Sequence, residues 1–358
     1  MSAIYYHDIY LLLVLLLTII VCQRYGLQTL SNNQRSGTSL VLLSWLVCAF
    51  LVFFIGFRPL HSTFVDMWNY NEYYHLLLGM PFDFQWDTEN VAFDNWFAFM
   101  ASRNIPITYV FVLFAAVYFG VMLVACQKIF PKDTLLAFLV YLAAFSTFSY
   151  GTNGMKAGMA ASIFLLALAF YKNKWISIPI AIFSYFMHHS MMLVIVAYFV
   201  VLVVKNPKYY FWIWLFCFLI GMFHITYFQH FFAGFTDEHG AGYLLNERSA
   251  FRLDFIIYSS IPVLIGYLMI YRNKIRSKYY NVILNLYLLT NSVWMLCIYS
   301  DFPNRIAYLS WFLYPIVILY PFVDQLWSKK QHVYLKYVVY GHLGFTLFMN
   351  YIYYVFLH

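Results

Sequence analysis

Apolar residues run through this chain in long blocks, and the polar residues are confined to short stretches between them. A helix that crosses about 30 Å of hydrocarbon needs roughly 20 apolar residues. By that measure residues 4–22, 38–57, 106–126, 134–148, 152–170, 175–187, 190–204, 209–228, 255–271, 282–299, 306–326 and 334–356 predict about twelve membrane-spanning helices. The sixth and seventh are short and flank His188 and His189. They predict half-length or tilted helices that meet at a polar bend, which a bilayer tolerates only where protein or a wet cavity surrounds it. The expected fold is an all-α, polytopic helix bundle, a single transmembrane domain over 1–358.

Composition agrees with the pattern. Hydrophobic residues make up 64% of the chain and charged residues 10%, against about a quarter charged in a soluble domain. Cys22, Cys48, Cys126, Cys217 and Cys297 all lie inside apolar runs without paired spacing, which argues against disulfide and zinc roles. The first run has His7 and Asp8 near its start in place of a basic leader, and no small-residue cleavage site follows, so it reads as an uncleaved membrane helix.

The formal charge of +7 is spread in small clusters between apolar runs rather than gathered in a stripe, so it marks orientation and not a nucleic-acid partner. Alternating sides through the segments groups Arg24, Arg35, Lys128, Lys132, Lys172, Lys174, Lys205, Lys208, Arg272, Lys274, Arg276, Lys278, Lys329, Lys330 and Lys336 together. By the positive-inside rule that side is cytoplasmic. Arg58, Arg103, Lys156, Arg248, Arg252 and Arg305 fall on the outer side with most of the acidic residues, and both termini face outward.

The long connections are outer ones. Residues 58–105 carry helical patches such as 94–100 and many aromatic residues, which argues for an ordered loop folded back on the bundle. Residues 229–254 form a second outer loop with a Gly240-Ala241-Gly242 break.

The groups able to do chemistry are therefore on the outer face: Arg58 with His61 and Asp66; Glu89; Asn153 with Lys156; His188 with His189; and Asn304 with Arg305. Charges near hydrocarbon cost about 2.5–3.5 kcal/mol on insertion scales, so such residues pair, snorkel or serve a site. Asp66 is placed either to pair with Arg58 or to act as a base. His188 and His189 serve either the bend or proton transfer.

The run Gly56-Phe57-Arg58, then Asp66 and Tyr70, with Glu89 and Phe93, resembles the start of the EpsG-like branch of the Wzy-type bacterial polysaccharide polymerases. Residues 153–160, from Asn153 and Gly154 through Lys156 to Ala160, are similar to that family's polar entry into a helix. His188-His189-Ser190 is similar to its H-x-S element, and Asn304-Arg305 with Tyr308 to its late N-R-x-x-Y element. Lys156 stands where arginine is expected, which puts a point charge in place of a planar fork. Thr63-Phe64-Val65 stands where a glycine-threonine turn is expected.

The resemblance implies a glycosyltransferase of GT-C-like architecture that needs no cofactor or metal. It would join O-antigen, capsule or exopolysaccharide repeat units carried on undecaprenyl pyrophosphate at the outer face of the bacterial inner membrane. A flippase and a chain-length regulator of the same pathway are its implied partners, beside membrane lipids. Arg58, Lys156 and Arg305 would hold the pyrophosphate, with Asn304, His189, Arg248, Arg252 and Tyr308 as further contacts to phosphate or glycan. Asp66, His188 or Glu89 would take the proton of the acceptor hydroxyl. The rival readings are a lipid-linked oligosaccharide flippase, a transferase using a polyprenyl monophosphate sugar, and a membrane acyltransferase. The chain has no D-x-D and no phosphate-binding G-x-x-x-x-G-K-[ST].

Overall fold

A computed structural model describes residues 2–26, 38–233, 242, 244–245, 251–301 and 303–357. The regular elements within them are helices. In chain order they are α1 (Tyr6–Gln23), α2 (Thr38–Gly56), α3 (Val65–Leu77), α4 (Val91–Ser102), α5 (Ile107–Ile129) and α6 (Thr134–Leu142). There follow α7 (Thr147–Thr152), α8 (Met155–Ala169), α9 (Lys174–Met187), α10 (Met191–Val203), α11 (Pro207–Met222) and α12 (Tyr227–Ala233). The last are α13 (Leu253–Arg272), α14 (Lys278–Leu296), α15 (Pro303–Trp311), α16 (Tyr314–Val323) and α17 (Gln331–Phe348).

Each of the apolar runs contains helix, and among the described residues four stretches are long and apolar enough to cross a membrane: Ala3–Gln23, Ile107–Ile129, Leu253–Arg272 and Pro303–Val323. Shorter apolar helices cover Leu40–Gly56, Met155–Ala169, Lys174–Met187 and Met191–Val203. The protein is an all-α, multi-pass membrane helix bundle.

Several ends are written in the sequence. Asn173, Asn206 and Ser277 each accept a backbone N–H of the first turn that follows, and Pro207 opens α11 where its missing N–H costs nothing. The run 134–148 does not stay helical to its end. It stops at Leu142, where the Thr147 hydroxyl donates to the carbonyl of Tyr141 at 2.6 Å and satisfies part of the exposed helix end.

The chain forms two compact units. Unit 1 comprises Met1–Met192 with Ser328–His358. In it α8 packs on α9 and on the second half of α5, α2 packs on the first half of α5, and α1 packs on α6 and α17. Gly56 permits the α2 contact: a Cβ there would lie 2.6 Å from the Cα of Val112. The α5 helix has a π turn over Ala116–Gly120. Such a turn disturbs the regular bonding ladder, and the carbonyl of Tyr118 accepts from the Ser162 hydroxyl of α8 at 2.9 Å.

Unit 2 comprises Leu193–Trp327 and is organised on α14, which packs on α11, α13, α15 and α16. Neutral polar residues join these helices. Asn291 accepts from the Trp214 indole at 2.8 Å and donates to Ser310 at 3.0 Å. Ser259 accepts from the Trp311 indole at 2.8 Å, and its carbonyl accepts from the Tyr287 hydroxyl at 2.8 Å.

Candidate functional site

The polar residues of unit 1 converge where three chain segments meet: the start of α4, the start of α8 and the break between α9 and α10. Each segment is shaped locally. Asn90 precedes α4 as its N-cap residue, yet its side chain makes no capping bond. Asp94 reaches back to accept the N–H of Asn90 at 3.1 Å, which leaves the Asn90 amide available for a distant partner.

That partner is the break at 188–190. The oxygen of Asn90 accepts the backbone N–H of His189 at 3.0 Å and lies 3.3 Å from His189 Nδ1. Asn90 is 2% exposed, so this contact fixes the outer loop to the bend from inside. Glu89 lies beside it, its Oε1 3.1 Å from His189 Nδ1. The expected bend is present: α9 ends at Met187, His188 is extended, and α10 starts at Met191.

The two imidazoles stack at 4.9 Å with an interplanar angle of 22° and differ in their partners. His188 Nδ1 lies 3.2 Å from the Ser190 N–H, which donates to it, and 2.7 Å from the Ser190 hydroxyl. An acceptor of a backbone N–H carries no proton of its own, so the hydroxyl donates as well. His189 Nδ1 faces two acceptors, a carboxylate and an amide oxygen, so this nitrogen carries a proton and donates.

Lys156 is the second residue of α8, where the helix dipole disfavours a cation. Asp94 compensates: its Oδ1 is 3.1 Å from the Lys156 ammonium, which also sits 4.7 Å from the Phe93 ring centre and 5.9 Å from that of Tyr70. Gly158 lets the preceding turn close, since a Cβ there would lie 2.9 Å from the carbonyl of Tyr150. Asn153, two residues before α8, has a buried Oδ1 without a hydrogen-bond partner among the described residues.

Arg58 is 2% exposed and turned inward. Its guanidinium donates to the carbonyl of Ile55 at 2.7 Å, to that of Thr152 at 2.7 Å, and to the sulfur of Met155 at 3.2 Å. These are the C-terminal ends of α2 and α7, whose dipoles favour a cation. The rings of Phe64 and Phe111 lie 5.4 Å away. Its Nε has no hydrogen-bond partner among the described residues. Burial pulls the guanidinium pKa down to about 9, the cost of holding a charge away from water without a carboxylate.

Of the two readings of Asp66, the pairing with Arg58 is absent. Asp66 lies in the first turn of α3, partly exposed, and makes no hydrogen bond or ion pair with the described residues. His61 is exposed and bonded to Thr63 at 2.8 Å.

In unit 2, Asn304 and Arg305 lie in the first turn of α15. Arg305 is exposed, and Tyr308, one turn on, packs against Trp311 with ring centres 5.5 Å apart. Arg252 closes its fork on Asp254 at 2.9 and 2.6 Å and lies 3.6 Å from the ring centre of Phe255. Arg248 and the Gly240-Ala241 part of the second outer loop lie outside the described residues. Among the described residues no three His, Cys, Asp or Glu side chains gather as a metal site.

The structure thus joins Glu89, Lys156, His188 and His189 of the expected set into one network and adds Asn90 and Asp94 to it. Asn90 ahead of a helix, with Asp94 in the helix's first turn, is the signal that could have drawn attention to them, because it is an N-terminal pattern.

A family model described as the EpsG family matches residues 41–357 of this chain. No curated protein and no solved structure matches it.

Proposed function

Because the chain belongs to the EpsG family, we propose that it polymerises oligosaccharide repeat units carried on undecaprenyl pyrophosphate, at the outer face of the bacterial inner membrane. In this reading the bundle has about twelve spans in one GT-C-like transmembrane domain, and 58–105 is an outer loop that closes over the reacting groups. The observation that supports it best is the network on that loop: Glu89, Asn90 and Asp94 reach His189 and Lys156. A cation, carboxylates and imidazoles are thereby held together beside the ends of apolar helices.

The chemistry needs such a set. Negative charge grows on the pyrophosphate as the glycosidic bond breaks, and a fixed cation stabilises that state more than the ground state. Lys156, partly exposed, supplies this charge. Arg58 acts from beneath by holding the carbonyl of Thr152 and so the entry to α8. The acceptor hydroxyl becomes a useful nucleophile once a positioned base takes its proton.

Purified protein given a lipid-pyrophosphate repeat unit should yield a ladder of longer glycans on a gel, and Lys156→Ala should lose the ladder while remaining folded. Movement of the lipid across the bilayer without new glycosidic bonds would replace the polymerase with a flippase.

A further inference from the structure

We infer that His189 is the general base of this site and that Glu89 is its positioning residue, while His188 is diverted to a structural bond. The inference rests on the polymerase reading for its substrate, and on proton bookkeeping for its choice of residue.

The two rings differ in where their lone pairs go. His188 spends its Nδ1 lone pair on Ser190, accepting from the backbone N–H at 3.2 Å and from the hydroxyl at 2.7 Å. This ties down the first residues before α10. An Nδ1 that accepts two donors is shielded from a third, so that nitrogen is unavailable to an incoming hydroxyl.

His189 has the opposite arrangement. Its Nδ1 proton is donated to the Asn90 oxygen at 3.3 Å, and the Glu89 carboxylate lies 3.1 Å from the same nitrogen at ion-pair distance. A proton held on Nδ1 leaves the Nε2 lone pair as the basic position, and Nε2 makes no hydrogen bond with the described residues. A carboxylate behind an imidazole fixes its tautomer and stabilises the cation formed when Nε2 takes a proton. Asn90 adds orientation through the backbone N–H of His189 at 3.0 Å. The His189 and Glu89 side chains are 41% and 49% exposed, so a hydroxyl can approach the pair.

Among the described residues, the charged and titratable groups in contact with the ring are Glu89, from the outer loop, and His188, next to it in the bend. Lys156 and Asp94 pair with each other at 3.1 Å. The acceptor hydroxyl loses its proton to His189 Nε2 as its oxygen bonds to the anomeric carbon, and the bond from that carbon to the pyrophosphate oxygen breaks with its electron pair on the phosphate.

The test has one arm that needs no substrate. Diethyl pyrocarbonate, which acylates an unprotonated imidazole nitrogen, is applied to the whole protein in membranes, and labelled peptides are counted by mass spectrometry. His189 should label at least several-fold faster than His188, and Ser190→Ala should raise His188 labelling. Equal labelling of the two histidines, or faster labelling of His188, overturns the assignment.

The second arm is turnover. His189→Ala should lose at least a hundredfold in ladder formation with donor binding retained, and added imidazole should restore part of it. Glu89→Gln should lower the rate at saturating donor with donor KM unchanged, whereas Glu89→Asp should recover part of the loss. Full turnover in His189→Ala overturns the base. A wild-type protein that builds no ladder, while its histidines label as expected, overturns the polymerase reading and leaves the difference between the two rings established.

Discussion

Unit 1 and unit 2 bury polar groups by different rules. In unit 2 neutral contacts join the helices: Asn291 between Trp214 and Ser310, and Ser259 with Trp311 and Tyr287. Hydrogen bonds of that kind replace the hydrophobic drive that helices lack in lipid, at about 0.6–2 kcal/mol each. In unit 1 Arg58, Lys156, Asp94 and Glu89 carry formal charge, and the charges are met by helix ends, aromatic faces and neighbouring side chains. Neutral pairs hold helices in place, whereas charge retained near hydrocarbon is what the proposed site for a charged substrate requires.

Arg58 is where the comparison can be broken most severely. Arg58→Ala removes a buried side chain that bridges the ends of α2 and α7, and about 3 kcal/mol of stability should go with it, through lost packing and carbonyls left without a donor. Denaturant titration in detergent checks this. Unchanged stability with lost turnover would move Arg58 from brace to substrate contact. Asn291→Leu should cost less, about 1–2 kcal/mol, because the Trp214 indole N–H loses its acceptor. Turnover per folded molecule should hold, and a large loss would mean that the neutral pairs of unit 2 also serve the reaction.

The helices were legible because long apolar blocks specify helix over any other backbone that a bilayer permits. The bend at 188–190 was legible for the converse reason, two histidines at the junction of two short blocks. Helix α3 was not, since its residues alternate Asp66, Asn69, Asn71 and Glu72 with aromatics and show no apolar period. The use of Arg58 was hidden for a deeper reason. Its partners are main-chain carbonyls of Ile55 and Thr152, and a carbonyl has no signature in the sequence. Asp94 stood in the loop as a helical patch, but its partner Lys156 lies 62 positions away, a pairing that only the folded chain creates.

Asn90→Ala sharpens the comparison further. The mutation leaves the backbone N–H of His189 without its acceptor, and stability should fall by about 1 kcal/mol while turnover falls more steeply, because the loop no longer presents Glu89 to the ring. Thermal unfolding and ladder formation measured on the same preparation separate the two effects. Proportional losses would reduce Asn90 to a fold contact.

Lys156 gives the smallest effect on stability and so the cleanest measure of function. Its bond to Asp94 is partly exposed, and such pairs contribute about 0–1 kcal/mol. Lys156→Met should therefore unfold within about 1 kcal/mol of wild type and yet lose turnover, since the methionine keeps the packing on Phe93 and Tyr70 and removes only the charge. Lys156→Arg should keep turnover, because a guanidinium still presents a cation, and its fork can bind a phosphate through two bonds. If Lys156→Met and Asp94→Asn lose the same amount of activity, the pair serves as a tether for the loop. If Asp94→Asn retains turnover where Lys156→Met does not, the ammonium itself meets the leaving group, and Asp94 only offsets its position at the start of α8.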